Sequence, residues 1–261
     1  MDGLLKAGRI IFATALVLFG VQFFIFLTAM TGPAPGPPWT HNTLLLDWLA
    51  CAGFVLAGVS IATGKMARSA SILLGVVLLL YAVFRYVPTL VTNLHNPGPW
   101  TVVFEILALV GGTWILAAAL PADGKRSHLL NGAVTPLAEV GRYLIAVALV
   151  VFAVQHFIYA GFVATLVPAW IPARLFWAYF TGAAFVAAAL AIVSKKMLQL
   201  AAMLLGTMFL LWVVVLHIPR AAGAVTNGNE VTSLFIAVAM CGVSFILAGA
   251  SGNRLKRRGA R

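Results

Sequence analysis

The chain has 261 residues, 62% of them hydrophobic and 9% charged, with a mean hydropathy of +1.04. Soluble globular domains sit near ~45–50% apolar and ~25% charged, so composition excludes a water-soluble fold and points to a bilayer. The net charge of +11 would suit nucleic acid, but its placement along the chain argues against that, as shown below.

A span needs about 20 apolar residues to cross ~30 Å of hydrocarbon. Eight such windows follow in chain order, near 8–29, 44–63, 70–92, 100–120, 141–164, 174–193, 197–218 and 231–250. Their separators are rich in Gly, Pro and charge: "GPAPGPP", "GKMAR", "HNPGP", "PADGKRSHLLNG", "VPAWIPAR", "SKK" and "NGNE". Long apolar runs without alternation satisfy their own backbone hydrogen bonds as helices, not as barrel strands. With the N-terminus inside, only Arg85, Arg174 and Arg220 of the 17 Lys and Arg fall outside. That asymmetry follows the positive-inside rule and predicts that both termini are cytoplasmic. The tail "RLKRRGAR" then reads as a topology determinant touching anionic lipid, and no nucleic-acid partner is expected. The first window is longer than a ~7–15-residue signal core and lacks a clear cleavage site, so it is expected to stay as a helix. Cys51 and Cys241 fall in separate spans and read as small packing residues.

The chain repeats itself. "GRIIFATALVLFGVQFFI" (8–25) and "GRYLIAVALVVFAVQHFI" (141–158) share 11 of 18 positions, Gln22 with Gln155 among them. "ILLGVVLLLYAVFRYVP" (72–88) aligns with "MLLGTMFLLWVVVLHIP" (203–219), pairing Gly75 with Gly206 and Pro88 with Pro219. Asn96, Thr101 and Gly111 then meet Asn227, Thr232 and Gly242, and Trp48 meets Trp177. The fold expected is an all-α membrane protein of eight transmembrane helices, arranged as two parallel four-helix bundle repeats. The first repeat covers 1–120, a cytoplasmic linker 121–140, and the second repeat with its basic tail 141–261.

The four-helix unit resembles the DoxX-like family of bacterial membrane proteins, here doubled. The resemblance rests on "GR…VQHFIYAGF", on "VPAWIP…LFWAYFTGAAFVAAALAI", and on a third helix ending "LHIPR" before "NGNE". It covers 141–250 well and 8–120 more loosely, and departs at "GPAPGPPWTH". It implies kinship with the membrane subunit of thiosulfate:quinone oxidoreductase. On that basis it implies a bacterial inner-membrane location, a bound quinone and a soluble or membrane oxidoreductase partner.

Ionisable residues within spans are costly and are functional candidates by default. In the first half, Arg85 and Glu105 fall at similar depth on adjacent helices, with Asp47 and Gln22 within reach. They read either as a structural ion pair or as a site for a polar head group, quinone carbonyl or proton. The second half puts Leu216 and Ile236 at those two positions and offers Gln155, His156, Tyr159 and His217 instead. Gln155 and Tyr159, four apart, share a helix face. Two histidines invite haem, but their expected depths differ and no C-x-x-C-H motif is present. Histidine also suits quinone chemistry, since it donates and recovers a proton near neutrality. No intrinsic cofactor and no metal site are expected, because phosphate-loop, HExxH and GxGxxG patterns are lacking. The readings in view are a quinone-interacting accessory subunit, a binding or transport protein for a small amphiphile, and a membrane scaffold. The glycines at 53, 75, 111, 112, 182 and 206 read as sites of close helix packing. Trp39, Trp48, Trp100, Trp170 and Trp177 read as an interfacial belt.

Overall fold

The computed structural model of the chain describes residues 3–29, 44–124, 131–224 and 228–259, with side chains for 3–25, 48–124, 132–224 and 228–252. The "GPAPGPPWTH" stretch with Trp39, linker residues 125–130, Asn227, and the side chains of Asp47 and of the basic tail lie outside the described residues.

Every element among the described residues is helical: α1 (Gly3–Ala29), α2 (Leu44–Thr63), α3 (Ala67–Tyr81), α4 (Val87–Thr92), α5 (Pro97–Ala119), α6 (Asn131–Ile158), α7 (Ala160–Leu166), α8 (Arg174–Ser194), α9 (Leu198–Trp212), α10 (Ile218–Gly223) and α11 (Gly228–Gly259). Among the described residues, seven helical stretches are long and apolar enough to cross a bilayer: Gly3–Ile25, Ala67–Thr92, Pro97–Ala119, Gly132–Ile158, Arg174–Ser194, Leu198–Gly223 and Gly228–Gly252. The protein is thus a multi-pass α-helical membrane protein. The expected eighth span corresponds to α2, whose shorter apolar run Trp48–Thr63 is not one of the seven. Within the expected linker 121–140, α6 is helical from Asn131 and carries Pro136.

α3 joins α4, and α9 joins α10, through π-helical turns at Ala82–Tyr86 and Val213–His217. Each turn is followed by proline, at Pro88 and Pro219, in the first turn of the next helix, where its missing N–H costs least. The turns leading into α3 and α9 also match. Gly64 and Met66 have φ of 81° and 54°, and Lys195 and Met197 have 60° and 51°.

The helices form a closed ring in which α1 packs on α2 and α11, α3 on α2 and α5, α6 on α5 and α8, and α9 on α8 and α11. α5 and α11 also meet across the centre. Of the apolar window of Pro97–Ala119, 67% is buried, against 22% for Leu198–Gly223, so α5 is a core helix and α9 a lipid-facing one. Without water between them, such helices gain mainly from close van der Waals contact, which small residues permit. At the α1–α11 crossing, a Cβ on Gly8 would lie 2.6 Å from the Ile246 nitrogen, and one on Gly242 2.6 Å from the Phe12 nitrogen. Gly111 and Gly141 touch backbone to backbone at the α5–α6 crossing in the same way. Gly53 does not behave as expected: it faces open space with nothing within 4 Å.

Arg142 is 4% exposed and donates from Nη1 to the carbonyls of Ile192 (2.5 Å) and Val193 (3.2 Å), closing the last turn of α8. A cation there meets the negative end of the helix dipole. Glu139 holds it from below at 2.8 Å and also pairs with Lys195 at 3.1 Å.

Candidate functional site

A cavity of about 280 Å³ lies inside the bundle between α5, α6, α8, α9 and α11. Its walls carry Glu105 and Thr101 from α5, Gln155 and His156 from α6, Thr181 from α8, His217 from the second π turn and Ser233 from α11. Phe152, Phe185, Phe209 and Met240 supply the apolar remainder. Four of the eight sequence candidates, Glu105, Gln155, His156 and His217, therefore share one site.

His156 and His217 line one cavity although their expected windows put them at different depths, because two helices differ in length from those windows. α9 continues through the π turn and Pro219 into α10, so its span ends at Gly223 and not near 218. α6 breaks at Tyr159, where ψ is 28°, and resumes as α7. A π turn places one extra residue in its loop and is frequent at functional sites. His217 closes the second such turn. His156 Nδ1 lies 2.8 Å from the Phe152 carbonyl oxygen, which can only accept, so Nδ1 carries the proton. In the neutral ring Nε2 is then an acceptor. The ring stands edge-on to Phe185, with centroids 5.2 Å apart.

Glu105 has neither ion-pair nor hydrogen-bond partner among the described residues, so the pairing with Arg85 expected from their depths does not form. Arg85 instead sits in the first π turn, 5.7 Å from the Tyr86 ring centroid, and does not line the cavity. Helix adjacency was right but azimuth was not, because Glu105 turns toward α6 and α11.

Both glutamines tie the fold together through their amide nitrogens, while Gln22 Oε1 is buried without a hydrogen bond among the described residues. Gln155 Nε2 donates to the Pro97 carbonyl (3.0 Å), and its Oε1 accepts from Thr101 (3.1 Å). Gln22 Nε2 donates to the Gly228 carbonyl (3.0 Å) and to Thr232 Oγ1 (2.7 Å). Gln155 lines the cavity but has its amide occupied, while Gln22 lies outside it. Tyr159 is 37% exposed and does not line the cavity, and the side chain of Asp47 is outside the described residues.

Sequence reasoning missed Thr181, Ser233, Trp212 and the second role of Trp177, which all look like ordinary span residues. Thr101 alone carried a signal, its match with Thr232. At the positions aligned with His156 and His217 the first half holds Phe23 and Tyr86. There Phe19, Phe23 and Phe54 stack on one another at 6.0 and 6.3 Å. Arg220 and Glu230 form an ion pair joining α10 to α11, with Nε 2.9 Å from Oε2.

The walls offer acceptors at Glu105 and His156 Nε2, and hydroxyls at Thr181 and Ser233. No group of three or more His, Cys, Asp or Glu among the described residues is placed to hold a metal ion. Fold and site together define a multi-pass helical membrane protein with a largely apolar cavity between its helices that carries a few polar groups. No family model, no curated protein and no solved structure matches the chain.

Proposed function

We propose that the cavity receives the ring of a quinone-class lipid, and that the protein is a quinone-interacting accessory subunit of a membrane oxidoreductase system. The observation that carries this reading is the convergence of Glu105, His156 and His217 on one cavity within the membrane-spanning bundle. An unpaired carboxyl inside a membrane protein is expensive and marks a functional site by default. At about 280 Å³ the cavity falls just below the ~300–1,000 Å³ range of ligand pockets, enough for one substituted ring.

The donor set fits the reduced, hydroxyl-bearing form better than the carbonyl form. Neutral His156 presents Nε2 as an acceptor to a ring hydroxyl, whereas a ring carbonyl would find no donor there. A quinone-class lipid bound here would supply the redox chemistry: its two-electron oxidation would pass both electrons to the acceptor on the partner and release two protons, one to His156 Nε2 and the other to Glu105 or to water. The chain's own residues bind, orient and take up protons. The electron acceptor resides on a partner.

The same proposal holds that the chain is a doubled DoxX-like unit in a bacterial inner membrane, with α2 as an eighth span and both termini cytoplasmic. The matched π turns, the matched positive-φ turns and the two glutamine ties support a two-fold relation between halves.

To test the reading, the purified protein in mild detergent is extracted and its quinone content measured by mass spectrometry, then titrated with a hydroquinone and with the corresponding quinone. Stoichiometric quinone-class lipid, tighter binding of the hydroquinone, and loss of both in Glu105→Leu/His156→Leu are expected. A folded wild-type protein that carries none and binds neither sinks the proposal and leaves a scaffold.

A further inference from the structure

The cavity is too small for a ring together with a long hydrocarbon tail, and a second space adjoins it. A groove of about 640 Å³ runs between α8 and α9 on the lipid-facing side of the bundle. Trp177 and Trp212 line both spaces. Their rings meet edge-to-face, with centroids 6.2 Å apart at 84°, and form the partition between them. Resting on the reading above, we propose that the groove is the tail site of the same ligand, and that the tryptophan pair is the door through which its ring passes sideways from the bilayer.

Three features argue for a hydrocarbon chain of that ligand as occupant. The groove is apolar throughout, and the hydroxyl of Thr207, its one polar side chain apart from the tryptophan N–H groups, is spent on the Met203 carbonyl at 3.0 Å. Its floor is made of small residues, Ala184, Ala187 and Ala188 on α8 and Ala201 on α9, which leave room between the helices. Along α9 it extends from Ala201 to Val215, about 20 Å at ~1.5 Å per residue. It therefore leads from the cavity, near the α9 C-terminal end, toward the opposite leaflet, as a tail attached to a ring in the cavity would. At the α7 end the cavity is walled by Val163, Leu166 and Val167, so the apolar side is the natural approach. The pair belongs to the second half alone: the positions aligned with Trp177 and Trp212 hold Trp48, which contacts Phe24, and Tyr81, which contacts Tyr86.

The test compares a methyl-substituted hydroquinone with the same ring carrying a decyl tail, bound to the full chain in lipid nanodiscs. Ala184→Phe fills the groove and is expected to weaken the tailed ligand at least ~10-fold while leaving the tailless one within ~2-fold. On the wild-type protein, a hydroquinone with a diazirine at the tail end is expected to label Leu204, Met208 or Leu211, and excess tailed hydroquinone to compete that labelling away. Trp212→Ala is expected to speed association of the tailed ligand several-fold. Labelling of other faces, labelling that only phospholipid displaces, or equal loss of both ligands in Ala184→Phe overturns the tail site and leaves the cavity reading standing. If neither ligand binds the wild type, the cavity reading itself falls.

Discussion

Gln155 donates to the carbonyl oxygen of Pro97 at 3.0 Å, and 133 residues earlier Gln22 makes the corresponding bond to Gly228. Each glutamine leaves one half of the chain and fastens the first turn of a helix in the other. The halves are tied crosswise, so a residue repeated with its depth unchanged serves assembly and not the ligand.

Replacing either glutamine by leucine should lower stability by ~1–2 kcal/mol, the range of interhelical hydrogen bonds in membranes. The two sites share no partners, so the double variant should show the sum of the single effects. Denaturant unfolding in mixed micelles measures this, and a strong departure from additivity would show the ties to be coupled.

Gly8→Ala and Gly242→Ala each put a methyl group 2.6 Å from a backbone nitrogen of the facing helix. Alanine gains ~0.5–1 kcal/mol of helix propensity, but forcing the helices apart costs more, typically ~1–3 kcal/mol. Net destabilisation is expected for both, while Gly53→Ala, with open space around it, should be neutral or slightly stabilising in the same thermal-shift assay.

Glu105→Leu removes a carboxyl that no described residue pairs with. Stability should rise, by ~1–2 kcal/mol if the gain is about half of the insertion-scale cost at mid-membrane. Ligand binding should fall over the same substitution. A variant that is both less stable and unaltered in binding would make Glu105 a structural residue.

Arg142→Ala frees two carbonyls at the end of α8 and removes the guanidinium that Glu139 holds at 2.8 Å. Hydrogen bonds to a charged donor contribute ~1.5–3 kcal/mol, so a loss of ~2–4 kcal/mol is expected, with Arg142→Lys recovering part of it. Hydrogen exchange should rise first at Ile192 and Val193.

His156 donates from Nδ1 to Phe152, which fixes one tautomer. Nitrogen-15 NMR of histidine-labelled protein should show His156 protonated at Nδ1, with Nε2 shifting when hydroquinone is added. An Nε2-protonated resonance would exchange acceptor for donor and favour the carbonyl form.

Hydropathy made the spans legible, because apolar runs are a local property of the chain. Azimuth is not local. The depths of Glu105 and Arg85 follow from their distances to helix ends, yet the azimuth of α5 depends on its packing on α6 at Gly111–Gly141 and on α11 at Gly112–Val243. The π turns at Ala82–Tyr86 and Val213–His217 leave no trace in residue type, so the continuation of α9 past Pro219, which lowers His217 to the level of His156, could not be read. Trp177 looked interfacial because an indole at a helix end usually is, and its place between groove and cavity depends on Trp212 of the neighbouring helix.

The contact of α1 with α11 has a consequence for biosynthesis. Gln22 finds Thr232 only 210 residues later in the chain. At ~5–20 residues per second, about 10–40 s pass between the synthesis of the two. During that time the bare face of Gly8 and the amide of Gln22 have no final neighbour. α1 is completed by α11, so a nascent chain stalled before α11 exposes a polar side chain and a glycine seam to lipid. Insertion machinery that shelters α1 until α11 has been made should raise the yield of folded protein.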